Sequence, residues 1–400
     1  MIPRLKPDLR LSDLASLWPA RPADEEVARF ERAFAKLAGQ AHAVAFPYGR
    51  TAQIGILDAL GDPRPQVVCP AYTCVVVPHG IVKAGKQPVF VDVCEGSFNM
   101  DWNLAIEAAG PKTSAVLATS IFGQPVDPDG LAAFRTAHPG VAVIQDCAHG
   151  FFAGNMHRNG LAAFYGLNIS KLMTSVFGGM TTTDDADFAE RLRRARDLRE
   201  EPSGLAHQVR RALYLMAVLV AFTRPVYGAV NRLERAGLLN RFVEYYDPAL
   251  IDLPDDAFTA MGGIEARIGS RQCGRYASIV AHRRRIAEIY HEELADTPEL
   301  VLPPRHPEAT ISHFVIRTSR AEDLKAACLA RGVQLGELID YEIPDMPPYR
   351  DAPYYGQRRS RSLPEQVINL PVHPSVREGD ARRIALVIRE ALDSRSVIGH

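Results

Sequence analysis

From Glu25 to Gln145 the sequence alternates between a helical and an extended hydrophobic period, and few architectures accommodate that alternation. Glu25–Leu37 places Val27, Phe30, Phe34 and Leu37 on one helical face. A short strand, Ala43–Phe46, runs through Tyr48-Gly49-Arg50 into a helix over Thr51–Leu60. Strand-like Val67–Cys69, Pro88–Val93, Ser114–Thr119 and Val141–Gln145 follow, with helical stretches near Val75–Ala84, Trp102–Ala109 and Asp129–Ala137 between them. Strands joined by helices bury both faces, so the pattern predicts an α/β fold with a mostly parallel central sheet flanked by helices. Right-handed crossovers then gather the strand C-termini along one edge, where open α/β sheets bind ligands.

At 400 residues the chain has room for about two domains of roughly 150 residues. The predicted large unit is 1–260, with an apolar and basic insertion at about 200–248, and the smaller α+β unit is 261–400. A long helix from Gly262, a strand at Ile311–Arg317 and a helix at Glu322–Arg331 open the small unit. A Pro/Tyr-rich loop at Tyr341–Tyr355, a strand at Val367–Leu370 and a helix at Glu378–Asp393 close it. The net charge of -1 calls for no nucleic-acid partner, and no helix-turn-helix or basic groove signature is present. Six cysteines show no CxxC pair or metal-ligand spacing, so no metal is expected, and four of them sit in apolar, strand-like surroundings, which reads as buried thiols in a reducing cytoplasm. No apolar signal region opens the chain, and the longest apolar run, Ala212–Phe222, is too short to span a bilayer; the expected location is the cytoplasm.

Three places in the large unit carry groups suited to chemistry. Tyr48-Gly49-Arg50-Thr51-Ala52 is a strand-to-helix junction whose backbone N–H groups at Arg50 and Thr51 face outward. Such a helix N-terminus binds anions and Arg50 adds charge, although alone it reads more simply as a helix start with Thr51 near the cap. In Gln145-Asp146-Cys147-Ala148-His149-Gly150, Asp146 ends an apolar strand, where burial demands a partner. Its carboxylate can hold a pyridinium N–H, with His149 in support, or equally cap a following helix. Lys171 lies in FYGLNISKLMTSVFGGM, a small, apolar, glycine-rich stretch unlike the solvated faces lysines favour. Desolvation lowers an amine's pKa and sharpens its attack on an aldehyde, though a lone loop lysine is more commonly structural.

Taken together, the segments CPAYTCVVVPHGIVKAGKQPVFVDV, IFGQPVDPDGLAAF, VIQDCAHGFFAG, SKLMTSVFGGMTTTDD and VINLPVHPSV resemble the DegT/StrS family of sugar aminotransferases. The resemblance runs from about Phe30 to Leu198 and from about Met261 to Ile388. It implies a fold-type I pyridoxal 5'-phosphate (PLP) enzyme, with Lys171 as Schiff-base lysine and proton shuttle. Asp146 would bind the pyridine nitrogen with His149 beside it, and the main chain from Gly49 to Thr51 would hold the phosphate. Family members that dehydrate sugars carry histidine at the lysine position, so Lys171 implies amino transfer. The implied partners are a nucleotide-linked keto-sugar, an amino donor (usually glutamate), and a second subunit in a homodimer with shared active sites.

Three positions depart from the family pattern. Cys74 stands where an aromatic residue usually stacks on the PLP ring, Gly166 where a serine usually binds phosphate, and Phe258 where a partner-subunit asparagine usually precedes Met-Ser, here MGG. Arg50 stands where the family usually has threonine and is the expected replacement contact, with Asn168 and Ser170 as further candidates. His373 and Tyr341 could reach the mouth of the site or serve only in packing. Leu205–Arg241 has no counterpart in compact family members. Its apolar helix with Arg210, Arg211 and Arg224 has the composition of a membrane-surface helix, but a helix covering a dimer or domain junction is the simpler expectation. The competing functions are amino transfer to a keto-cyclitol or a lipid-linked substrate, and a PLP-binding regulator without transferase activity.

Overall fold

A computed structural model describes residues 1–18, 21–235 and 250–396. The last part of the expected insertion, 236–248 with Arg241, therefore lies outside the described residues. Helix α1 (Ala23–Ala38) leads into β1 (His42–Phe46), α2 (Gly49–Leu60), β2 (Gln66–Pro70), α3 (Val76–Lys83) and β3 (Gln87–Val91). Helix α4 (Trp102–Ala108), β4 (Thr113–Thr119), α5 (Pro128–Ala137) and β5 (Ala142–Asp146) continue the alternation. Then come β6 (Ala162–Gly166), β7 (Gly179–Thr183) and α6 (Ala186–Asp197).

These strands form one sheet in the order β1-β7-β6-β5-β4-β2-β3, extended at the β3 edge by β9 (Tyr354–Tyr355). Only β7 runs antiparallel to its neighbours. The alternating pattern thus gave the sheet's direction correctly, but β6, β7 and β9 were not anticipated. Strands β6 and β7 are short and flank a glycine-rich loop, and β9 is two residues inside the stretch read as loop. Burial is nearly continuous along β4 and β6, as a doubly covered sheet requires. Phe46, Ile56, Leu117, Ile144 and Phe188 pack on one face, and Val68, Val91, Trp102, Val116 and Phe134 on the other.

Beyond α6, helix α7 (Leu205–Ala221) and α8 (Arg224–Arg235) form a bent pair, and α9 (Gly263–Glu293) is the long helix beside α1. Helix α7 starts seven residues before the apolar run that announced it. Strand β8 (Phe314–Arg317), α10 (Ala321–Ala330), β10 (Val367–Leu370) and α11 (Glu378–Ser396) complete the chain, with β8 and β10 paired antiparallel. They enclose a separate core around Tyr290, Phe314, Leu324, Ile384 and Ile388. Segments cross between the units at both ends. Ile2 pairs with the backbone of Gly332 and Gln334, while Ile343, Met346 and Tyr349 belong to the large core. No single described helix is long and apolar enough to cross a membrane.

Candidate active site

Because β1, β2, β4, β5 and β6 point the same way, their C-terminal ends open on one edge of the sheet. That edge receives the N-termini of α2 and α3, the Asp146 carboxylate and the loop that carries Lys171. Register fixes the spacing: Thr119 pairs with Asp146 across β4–β5, and Asp146 with Phe164 across β5–β6.

Asp146 is almost fully buried. One carboxylate oxygen accepts the Ala148 N–H at 3.0 Å, and the other faces the Thr119 hydroxyl at 3.4 Å. No helix follows directly, so the capping alternative fails, although the local turn does use the carboxylate. Burial raises its pKa; the Ala148 N–H, Lys171 and Thr119 oppose that rise without cancelling it. No cation forms an ion pair with it among the described residues. A buried carboxylate in this state is a site for a positively charged N–H.

Lys171 is held by a closed loop. Leu167 N–H bonds to Gly178 O at 2.9 Å and Ser175 N–H to Leu167 O at 2.9 Å, so the loop leaves and re-enters the sheet at one point. Gly179 meets the turn closely: a Cβ there would lie 2.2 Å from Tyr48 O. The lysine tail crosses Gly166, whose added Cβ would stand 3.3 Å from Lys171 Cε. This close approach suits glycine at a position where the family usually has serine. Burial lowers the Lys171 pKa, against the raising influence of Cys74 and Asp146. Asn168 and Ser170 hold each other, Ser170 Oγ donating to Asn168 Oδ1 at 2.6 Å, which shapes the turn before the lysine.

Helix α2 begins at Gly49, two residues earlier than the pattern indicated. The Thr51 hydroxyl accepts the Tyr48 N–H at 3.1 Å and donates to Tyr48 O at 2.9 Å, so its side chain is spent on the cap. The N–H groups of Gly49, Arg50 and Thr51 precede the first helical hydrogen bond, from Ala52 N–H to Tyr48 O, and remain for a ligand. A Cβ on Gly49 would lie 3.0 Å from Gly166 Cα, so this turn sits directly on the end of β6. Arg50 is only 9% exposed. Its guanidinium donates to Asp252 O at 3.0 Å and has no carboxylate partner among the described residues. Burial lowers its pKa, while Cys74, Tyr48 and Asp252 support the charge. Cys74, at the N-terminal approach to α3, therefore faces both Arg50 and Lys171 electrostatically.

His149 stacks on Phe122 with ring centroids 5.8 Å apart, and its Nδ1 is buried without a partner. Phe122 has a positive φ of 56°, in the IFG turn. Burial, Lys171 and His313 drive the His149 pKa well down, which favours the neutral ring. His313, from the small unit, lies 5.0 Å from His149 and also feels Lys171. Sequence reasoning missed it, since one histidine before a strand carries no local signal. Tyr341 reaches the site's rim, where its hydroxyl accepts the Val75 N–H at 2.9 Å beside Cys74. His373 does not; it is buried against Pro3 O at 3.0 Å and serves packing. Phe258 lies under Arg199 in a crevice with Phe46, Thr51 and Gly55.

The structure thus brings Gly49, Arg50, Thr51, Cys74, Asp146, His149 and Lys171 to one sheet edge. A fit test for PLP rests on groups already named: an unpaired buried carboxylate for a ring N–H, a helix N-terminus with a buried guanidinium for a phosphate, and a desolvated amine for an aldehyde. The donor set fits.

The DegT/DnrJ/EryC1/StrS aminotransferase family model matches residues 17–210 and 258–389. GDP-perosamine synthase of Caulobacter vibrioides is 25% identical over 384 residues, covering 92% of this chain and 90% of that protein. UDP-N-acetyl-3-dehydro-alpha-D-glucosamine 3-aminotransferase of Acidithiobacillus ferrooxidans is 27% identical over 377 residues, covering 90% and 87%. Helicobacter pylori PseC, an aminotransferase of pseudaminic acid biosynthesis, has the same fold, with a TM-score of 0.77 at 15% identity over 98% of this chain and 99% of that one. The architecture is that of fold-type I PLP aminotransferases. The match covers well over half of the sequence, and the chain belongs to the DegT/DnrJ/EryC1/StrS aminotransferase family.

Proposed function

We propose that the protein is a PLP-dependent aminotransferase that moves an amino group, with glutamate as donor, to a keto-sugar carried on a nucleotide. The observation that supports this most is the desolvated Lys171 amine set against the unpaired buried carboxylate of Asp146. PLP, when bound, supplies an aldehyde carbon that links to amines and a ring that withdraws electrons when its nitrogen is protonated. Asp146 would hold that nitrogen's proton, and the added positive charge would relieve the cost of its burial. The α2 N–H groups and Arg50 would hold the phosphate. His149, stacked on Phe122 and pushed toward its neutral form by burial, would add no competing charge beside the ring. Lys171, its pKa lowered, would accept and return a proton between substrate carbon and cofactor. The family relationship further supports a homodimer with shared sites.

An absorbance spectrum before and after excess glutamate, compared with Lys171→Ala, tests this reading. The expected result is a lysine-linked cofactor band that glutamate converts to the amine form and that the variant lacks. A bound cofactor that no amino donor converts would overturn amino transfer and favour a PLP-binding regulator.

A second reading concerns where the substrate is carried. Leu205, Val209, Leu213, Met216 and Val220 form an exposed stripe along α7, while Leu215 and Val218 on its other side are buried. Helix α7 packs its buried face on Val176, Ile264 and Ile268 and leaves an apolar face open. That face favours contact with a lipid surface and hence a lipid-delivered substrate. Co-sedimentation with anionic vesicles is expected, and its absence with any vesicle would end the idea.

A further inference from the structure

Helix α7 does more than cover a surface. The family match stops at Arg210 and resumes at residue 258, so Arg211 is the first residue of the segment outside it. Its side chain is buried, and its Nε and Nη2 are both engaged. Nε pairs with Glu265 at 3.0 Å, and Nη2 pairs with Asp256 at 3.1 Å and donates to the Tyr48 hydroxyl at 3.3 Å. Its carbon lies 3.7 Å from the centroid of the Phe177 ring. The Tyr48 hydroxyl donates to Asp256 at 2.6 Å, closing the cluster.

Two of these contacts lie on the two elements that make the cofactor site. Tyr48 is the N-cap of α2, and its carbonyl receives both the Thr51 hydroxyl and the Ala52 N–H. Phe177 ends the lysine loop, next to Val176, whose φ of 76° is rare for a β-branched residue. The turn and the loop also touch through the Tyr48 and Phe177 rings, 6.0 Å apart. Gly262 lies against the same helix: a Cβ there would lie 1.7 Å from Gln208 Nε2, so a larger residue would have to displace that side chain.

We propose that Arg211 is a positioning residue that clamps the phosphate-binding turn to the lysine loop, so that the additional segment preorganises the cofactor site from outside. The guanidinium supplies what the geometry requires, a planar cation that bonds two carboxylates in its plane and stacks an aromatic ring on its face. A fixed turn aims its N–H groups before the ligand arrives, and a loose one loses affinity to ordering. This inference rests on the PLP reading above, but part of its test does not.

The experiment uses three variants of the full chain. Arg211→Met with Glu265→Gln removes the cation without stranding a buried carboxylate, and Tyr48→Phe removes only the hydroxyl link. Arg210→Met removes the exposed arginine that also pairs with Asp256, at 2.7 Å, and has no contact with Tyr48 or Phe177 among its described partners. Amide exchange across residues 48–52 and 174–178 is read without cofactor, and PLP affinity is read by titration. The first two variants are expected to lose protection in both segments and to bind PLP at least about tenfold more weakly, roughly 1.4 kcal/mol. Arg210→Met is expected to stay within about twofold of wild type. Unchanged protection in folded Arg211→Met/Glu265→Gln and Tyr48→Phe would overturn the clamp. If the wild-type chain bound no PLP, the functional reading would fail while amide exchange still decided the clamp.

Discussion

Two buried polar clusters meet near Phe177, and their charges are arranged in opposite ways. Around Lys171, burial drives every perturbed group toward its neutral form: the lysine and both histidines down, and Asp146 up. Around Arg211 the charges are matched. Burial alone would raise Asp256, but Tyr48, Arg211, Arg210 and His207 outweigh it and hold its carboxyl below the usual range. Tyr48, buried and next to Asp256, is pushed up to about 12 and remains a donor. Glu265 and His207 are exceptions, the first raised by burial despite Arg211 and the second lowered by burial and Arg211. The lysine cluster leaves the Asp146 carboxylate without an ion pair among the described residues, whereas each carboxylate of the clamp has an arginine, although Glu265 Oε2 is left without a hydrogen-bond partner. Strain of this kind belongs at a functional site, and complementarity belongs in a scaffold.

Asp146→Asn breaks the first half of this comparison most sharply. It should lower amino transfer by about 10²-fold or more, by analogy with loss of a fixed electrostatic partner. It should at the same time raise the melting temperature of the cofactor-free protein, because the amide keeps the shape without the buried charge. A fall in both turnover and apo stability would show that the carboxylate is structural.

Asp256→Asn tests the other half and should destabilise the protein by about 1–3 kcal/mol in urea, less than a fully buried pair because Asp256 keeps some exposure. The sign with pH follows from its lowered pKa. Its contribution is present above the unfolded value of 3.8 and lost as pH falls through the folded value, so the deficit of the variant should vanish in acid. A pH-independent deficit would remove the charge from the explanation.

Lys171 should show the reverse dependence. Its folded pKa lies below the unfolded 10.5, so the unfolded chain binds more protons between the two and stability rises with pH across that interval. Lys171→Met should therefore be more stable than the cofactor-free wild type near neutrality, with the gap closing toward 10.5. A constant gap would mean that hydrophobic gain, not charge, separates them.

The smallest effect is expected on the open face of α7. Leu213→Glu should change stability by no more than about 0.5 kcal/mol, whereas the same change at fully buried Leu215 should cost several kcal/mol. A large cost at Leu213 would place that side chain in an interface between copies of the chain.

The sequence made the lysine cluster legible because its cues are local. An apolar strand ends in Asp146, a glycine turn opens α2, and one lysine stands in a loop without other charges. Topology then carries all three to the same edge. The limits were local as well: β6 and β7 are five residues each beside a glycine-rich loop, and the start of α2 at Gly49, with Tyr48 as its N-cap and Thr51 bonded back to it, lay two residues before the pattern's own start. Arg211 was visible only as a basic residue beside an apolar run. Its meaning depends on Tyr48, 163 positions away, and on Phe177.

What the sequence determined by itself is the α/β alternation, and with it the parallel sheet, the ligand-binding edge and the order of groups along that edge. Hydrophobic period and glycine placement act over a few residues, and right-handed crossovers leave little further choice. Tertiary structure alone decided that His313 joins His149, that Gly262 makes room for Gln208, that Tyr354–Tyr355 extends the large sheet, and that Arg211 ties the added helix to both walls of the site. Each of these joins residues far apart in sequence, where only packing determines which side chains meet.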